Sequence, residues 1–264
     1  MTPHFDSDDS EIELAVDLGP VLALRKKAPG AGPDPIWAAL AAERGGADAV
    51  IVPLDGAGGG EGDALAESEA QAIKAQLAIP LILEIEPHPR MIERAALLCP
   101  VEIILAAGTR AAAAAAQDEA TSWVAQSSAR SLAVSILHAR AIRVTLRVSP
   151  HPMEIDAARD LGFDGVELDA SALGQACDPA SIATALESLR QAAAGACLAG
   201  LAVSAGRDLS ADRSEMLAGI LDIEGLHVGH TLFAEGLVSG WEKAVRDLVA
   251  AMRLARLAAL GRQR

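Results

Sequence analysis

Eight short apolar runs alternating with segments of helical periodicity constrain this chain more than any other feature. The runs are Leu14 to Leu18, Ala49 to Leu54, Leu81 to Glu86, Glu102 to Ala106, Arg143 to Val148, Gly165 to Leu168, Leu201 to Ser204 and Leu226 to Val228. Strands that are apolar nearly throughout are buried on both faces, which implies a parallel sheet with helical crossovers. Helical patterns fill the gaps: Asp34 toward Arg44, Gly62 to Leu77, Pro89 to Leu98, an alanine-rich stretch from Ala111 to Ala141, His151 to Leu161, Pro179 to Ala194 and Ser210 to Ile220. A final helix carries Leu237, Trp241, Ala244, Val245, Leu248 and Met252 at helical spacing and runs toward Leu260. Eight such units predict an α/β fold, a (β/α)8 TIM barrel with extra helices, as one domain over residues 13–264. An open doubly wound sheet would carry a Gly-x-Gly-x-x-Gly turn after its first strand, and Asp17 to Leu22 is not one.

The charge balance narrows the partners. With 22 Lys and Arg against 36 Asp and Glu, the net charge is −14 and no basic run occurs. Such a chain is repelled by nucleic acid and by anionic membranes. Residues 1–12 are acidic and lack the apolar core of a secretory signal, so a disordered tail and a cytoplasmic location are expected. No apolar run is long enough to span a bilayer. Cys99, Cys177 and Cys197 show no Cys-x-x-Cys spacing and are expected to be small buried residues. The glycine cluster from Gly56 to Gly62 lacks the Lys-Ser/Thr ending of a phosphate loop and reads as a flexible connection; Ala111 to Ala116 reads as a helix-favouring insertion.

In a barrel the active site forms at the C-terminal ends of the strands. The polar residues there are Asp17, Asp55, Glu84, Glu86, His88, Arg147, Glu167, Asp169, Arg207, Asp208 and His230. Glu84 and Glu86 are two apart, as are Glu167 and Asp169, so each pair faces one side of the sheet. A buried, unpaired carboxylate suits a general base; alternatively Arg147, Arg207 or backbone amides satisfy these acids and they merely finish the barrel mouth. Gly229 and His230 fall where the last strand gives way to a helix, a place whose free amides and dipole suit an anion.

Several segments together resemble pyridoxine 5′-phosphate synthase, an enzyme of vitamin B6 synthesis. They are Val16 to Arg25 with Pro33 to Pro35, Gly46 to Asp48, Leu83 and Glu84, Gly165 to Glu167, Ser204 to Gly206, and Leu226 to His230. The resemblance implies a (β/α)8 barrel assembled as a homo-octamer. It also implies condensation of 1-deoxy-D-xylulose 5-phosphate with 3-amino-2-oxopropyl phosphate to pyridoxine 5′-phosphate, with no metal and no cofactor. Glu84 matches the family's catalytic Glu, and Gly229 and His230 match its phosphate-binding pair.

Other positions depart from the family. Its first strand ends in Asn, Asp and His, where this chain has Asp17, Gly19 and Pro20; a basic residue soon after is Ala28. A catalytic His and a substrate-binding Arg on the second strand become Pro53 and Asp55. The catalytic His and the Gly of the seventh-strand turn become Arg207 and Asp208, and a Gly-Arg pair in the last helical segment becomes Ala234 and Glu235. Proline has no ionisable group and a guanidinium stays protonated, so Arg207 can bind an anion but cannot move a proton. The resemblance thus implies the family scaffold with its condensation lost or severely weakened. Three other readings remain: an active synthase using Glu86, His88 or Asp169 as substitute groups, a non-catalytic barrel binding a phosphorylated metabolite or a partner protein, and a repurposed enzyme whose Glu84, Glu86, Asp169 and His230 hold Mg²⁺ or Mn²⁺.

Overall fold

The computed structural model describes residues 11–28, 30–54, 66–106 and 130–262. Its strands are β1 (Glu13–Asp17), β2 (Ala49–Pro53), β3 (Leu81–Ile85), β4 (Glu102–Leu105), β5 (Arg143–Val148), β6 (Gly165–Asp169), β7 (Ala202–Gly206) and β8 (Gly225–Val228). Each pairs in parallel with the next, and β8 returns to β1 to close the barrel. This is the (β/α)8 architecture that the eight apolar runs predict.

Alternation along the strands sorts residues into two apolar sets. Ala15, Ala49, Ile51, Ile82 and Ile104 form a small cluster on the barrel axis. Their neighbours, among them Val16, Val50, Leu83, Ile103, Leu146, Val166 and Leu226, join the larger layer between the sheet and the helices. Because the side-chain period is two, this assignment also decides which polar residues at the strand ends face the axis.

Helix starts follow local capping chemistry. Asp34 accepts the N–H of Ile36 at 2.9 Å, and Asp178 accepts those of Ala180 and Ser181 at 3.0 Å, each followed by a proline in the first turn. The long final helix, Trp241–Arg262, lies across Pro35–Gly45, with the indole N–H of Trp241 donating to the carbonyl of Ala38 at 2.9 Å. It is anchored further along by Arg256, only 1% exposed, which donates to the carbonyls of Ile220 and Ile223. Among the described residues no helix is long and apolar enough to cross a membrane.

Several expectations need correction. The closing helical segment is two helices, His230–Ser239 and Trp241–Arg262, because Gly240 at φ 90° breaks the run; Leu237, before the break, is 71% exposed rather than part of the buried stripe. Two unexpected helices appear, Gly19–Lys27 and Ser171–Gln175. The three cysteines are exposed, since they lie at helix ends or on a solvent-facing side. Of the alanine-rich stretch, residues 130–138 are helical; the glycine cluster, Ala111 to Ala116, Asp55 and residues 1–10 lie outside the described residues.

Candidate functional site

Strand register brings four carboxylates to one end of the axis. Pro53 is opposite Glu84, Arg147 opposite Glu167, and Asp169 opposite Gly206, which is itself opposite His227. Asp17 ends β1 beside β8. These residues lie on the axial side of the sheet, at the C-terminal mouth.

Arg147 organises the centre. Its two terminal nitrogens donate to the two oxygens of Glu84, both at 2.8 Å, and its Nε donates to Glu167 Oε2 at 2.8 Å. A guanidinium's planar fork matches a carboxylate in this bidentate way. Burial opposes the charge on Arg147, yet Glu167 and Glu84 together push its pKa well above the usual arginine value. Glu167, 1% exposed, also has His227 Nδ1 3.1 Å from its other oxygen, a close ionic contact without hydrogen-bond alignment. Burial alone would raise the Glu167 carboxyl, but Arg147 and His227 hold it down to about 2. Burial likewise disfavours charge on His227, and Glu167 outweighs it, so the imidazole pKa is raised. Gly206 makes room for this cluster: a Cβ there would be 2.5 Å from Glu167 Oε1 and 2.9 Å from the His227 Cβ.

Asp17 lies beside this network. Its Oδ1 accepts the N–H of Gly19 at 2.8 Å, at the start of helix Gly19–Lys27, and its Oδ2 lies against Gly229. Burial and the nearby Glu84 raise its carboxyl pKa to about 6, despite the Gly19 amide, Arg147 and His230. At the rim, Arg207 Nε is 3.5 Å from Asp169 Oδ2, while Asp169 Oδ1 accepts the N–H of Ser171 at 2.8 Å. Arg207 and Asp208 hold φ values of 77° and 52°, a left-handed pair that costs energy in residues other than glycine. Asp208 accepts from Gln175 Nε2 at 3.0 Å.

The sequence candidates therefore divide. Asp17, Pro53, Glu84, Arg147, Glu167 and Asp169 share the mouth; Gly229, His230 and Arg207 edge it. Gly19 contributes its amide to Asp17, whereas Pro20 is buried in the first turn of its helix. Glu86 and His88 do not join, because β3 ends at Ile85 and both are exposed beyond it. Among the described residues no three His, Cys, Asp or Glu side chains come together as metal ligands, so the set of Glu84, Glu86, Asp169 and His230 is not assembled. His227 is the site residue the sequence reading missed; its distance of two from Gly225 and from Gly229 is the signal that it faces inward.

A family model for pyridoxal phosphate biosynthesis protein PdxJ matches residues 14–254. The chain belongs to the PdxJ family. The match runs from β1 into the final helix, so this PdxJ-family chain carries the family's barrel through all eight strands. Solved structures similar to it share the fold at low identity. Phosphoribosylanthranilate isomerase from Thermotoga maritima is 11% identical, with a TM-score of 0.53 over 92% of this chain and 99% of its own. Thiamine phosphate pyrophosphorylase from Pyrococcus furiosus is 13% identical, with a TM-score of 0.55 over 94% and 98%. The tryptophan synthase A-subunit from Pyrococcus furiosus is 12% identical, with a TM-score of 0.58 over 92% and 96%.

Proposed function

We propose that this PdxJ-family barrel no longer carries out, or carries out only very weakly, the condensation of 1-deoxy-D-xylulose 5-phosphate with 3-amino-2-oxopropyl phosphate. The observation that carries this reading is the state of Glu84. Both its oxygens are engaged by Arg147, and the residue paired with it on β2 is Pro53. A substrate proton would have to displace a guanidinium to reach the carboxylate, and no proton carrier stands opposite. Arg207, at the rim, cannot release a proton. Acid-base groups contribute roughly 10²- to 10⁴-fold each, so a reaction with repeated proton transfers retains little when two are replaced and the third is occupied.

Purified protein incubated with both substrates, with pyridoxine 5′-phosphate followed by chromatography, tests the proposal. No product above a Glu84→Gln control is expected. Turnover near the common enzymatic rate of about 10 s⁻¹ would end it. A second reading, a barrel that binds a small molecule without converting it, is favoured by Gly229 and His230, which remain at the start of a ten-residue helix beside a polar mouth.

A further inference from the structure

We infer that Asp17 determines the charge of the ligand this mouth admits: its own carboxylate fills the anion position beside Gly229 and His230 and excludes dianions such as phosphate esters. This rests on reading the mouth as a binding site. The first N–H groups of a helix have no partner within it and, with the helix dipole, favour a negative group. Here the negative group is supplied by the chain. Asp17 Oδ1 takes the Gly19 N–H at 2.8 Å at the head of one helix, and Oδ2 stands 2.9 Å from where a Cβ at Gly229 would be, at the head of the other. The absent side chain at Gly229 is what lets the carboxylate in.

Among the described residues, the nearby guanidiniums are already engaged by other carboxylates. Arg147 is shared between Glu84 and Glu167, and Arg207 pairs with Asp169. His230, on the adjoining helix, is exposed, and Glu84 adds a further negative charge from β3. Two like charges about 4 Å apart at an effective dielectric of about 20 repel enough to weaken binding roughly a thousandfold. Burial and Glu84 set the Asp17 carboxyl at about 6, so exclusion is relieved as the pH falls through that value.

Sulfate is a suitable probe because it stays a dianion across this range. It would be titrated calorimetrically into wild type and Asp17→Asn near pH 5 and pH 8 at fixed ionic strength, with the His230 ring signals followed by NMR to locate binding. Wild type should bind at least tenfold more tightly near pH 5 than near pH 8, and Asp17→Asn should bind at least thirtyfold more tightly than wild type near pH 8. Both histidines of the mouth, His227 and His230, persist in the variant, so its residual pH dependence isolates their share. Equal affinity of the two proteins near pH 8, or a folded variant whose His230 signals ignore sulfate, would overturn the inference. If the variant fails to fold, a wild-type affinity that does not change with pH overturns it equally. Sulfate binding by wild type near pH 8 would leave the loss of condensation standing, so the two readings fail separately.

Discussion

Arg147→Met is the substitution that most directly tests the organisation of the mouth. It keeps much of the side chain's bulk but removes three charge-assisted hydrogen bonds, two to Glu84 and one to Glu167. Glu167 then remains buried with only His227 against it. Removing one member of a buried ion pair typically costs about 3–5 kcal/mol, because the charge left behind is uncompensated. The pKa of Glu167 gives an overlapping measure: the gap between its ordinary 4.5 and about 2 is worth about 3 kcal/mol, shared between Arg147 and His227. Urea denaturation near pH 7 should therefore show a loss of about 3–4 kcal/mol. The pH dependence has a definite sign. A depressed carboxyl stabilises the fold fully above its ordinary value and loses that contribution as the pH falls through the folded value. Without Arg147, burial raises the Glu167 carboxyl, so the deficit should be greatest near neutral pH and shrink as the pH falls toward 2. Adding Glu167→Gln should recover about 1–2 kcal/mol, since the two residues are directly coupled. A deficit below about 1 kcal/mol near pH 7 would refute the claim that Arg147 neutralises the buried acids, as would one that does not diminish in acid.

Asp17 should behave in the opposite sense. Its folded pKa is raised from 3.8 to about 6, so wild type loses stability as the pH rises between those values; Asp17→Asn should be more stable near pH 8 by up to about 3 kcal/mol, with the advantage gone near pH 3. Matching urea midpoints for the two proteins near pH 8 would contradict this. His227, with its pKa raised by Glu167, should titrate above 6.5 in an NMR experiment and move down in Glu167→Gln; its stabilising share is present at low pH and lost as the pH rises through the folded value. Gly206→Ala forces a methyl to within 2.5 Å of Glu167 Oε1 and should cost about 1–3 kcal/mol, with displaced His227 ring signals as the local readout.

The barrel was legible because burial on both faces gives each strand an unbroken apolar signal, and eight such signals leave few arrangements. Strand ends were less so. Apolar alternation carries the eye from Glu84 to Glu86, but the ladder stops at Ile85, and β7 continues through Ser204 to Gly206, where glycine hides the pattern. Helix Gly19–Lys27 was obscured because glycine and proline, which usually mark turns, stand at its start, although proline suits the first turn of a helix.

The acids at the mouth could be named from sequence, as could Arg147 as one possible partner. Which acid it would meet could not: Glu84 and Arg147 are 63 positions apart, and only the pairing of β3 and β5 on either side of β4, with β6 next to β5, brings their axial side chains together. His227 was obscured for a related reason, lying in a run read as a buried apolar strand when its alternate positions face the axis. On the proposed reading, the same contrast explains how the family's scaffold persists beside replaced chemistry. Fold depends on dozens of apolar positions such as Val50, Leu83 and Leu226, where neighbours of similar volume substitute at modest cost. Proton transfer depends on single groups. If, as the resemblance implies, Pro53 stands where the family has a histidine, the carboxylate paired across from it has no proton carrier opposite on β2, and an arginine from β5 binds both its oxygens without disturbing a single strand.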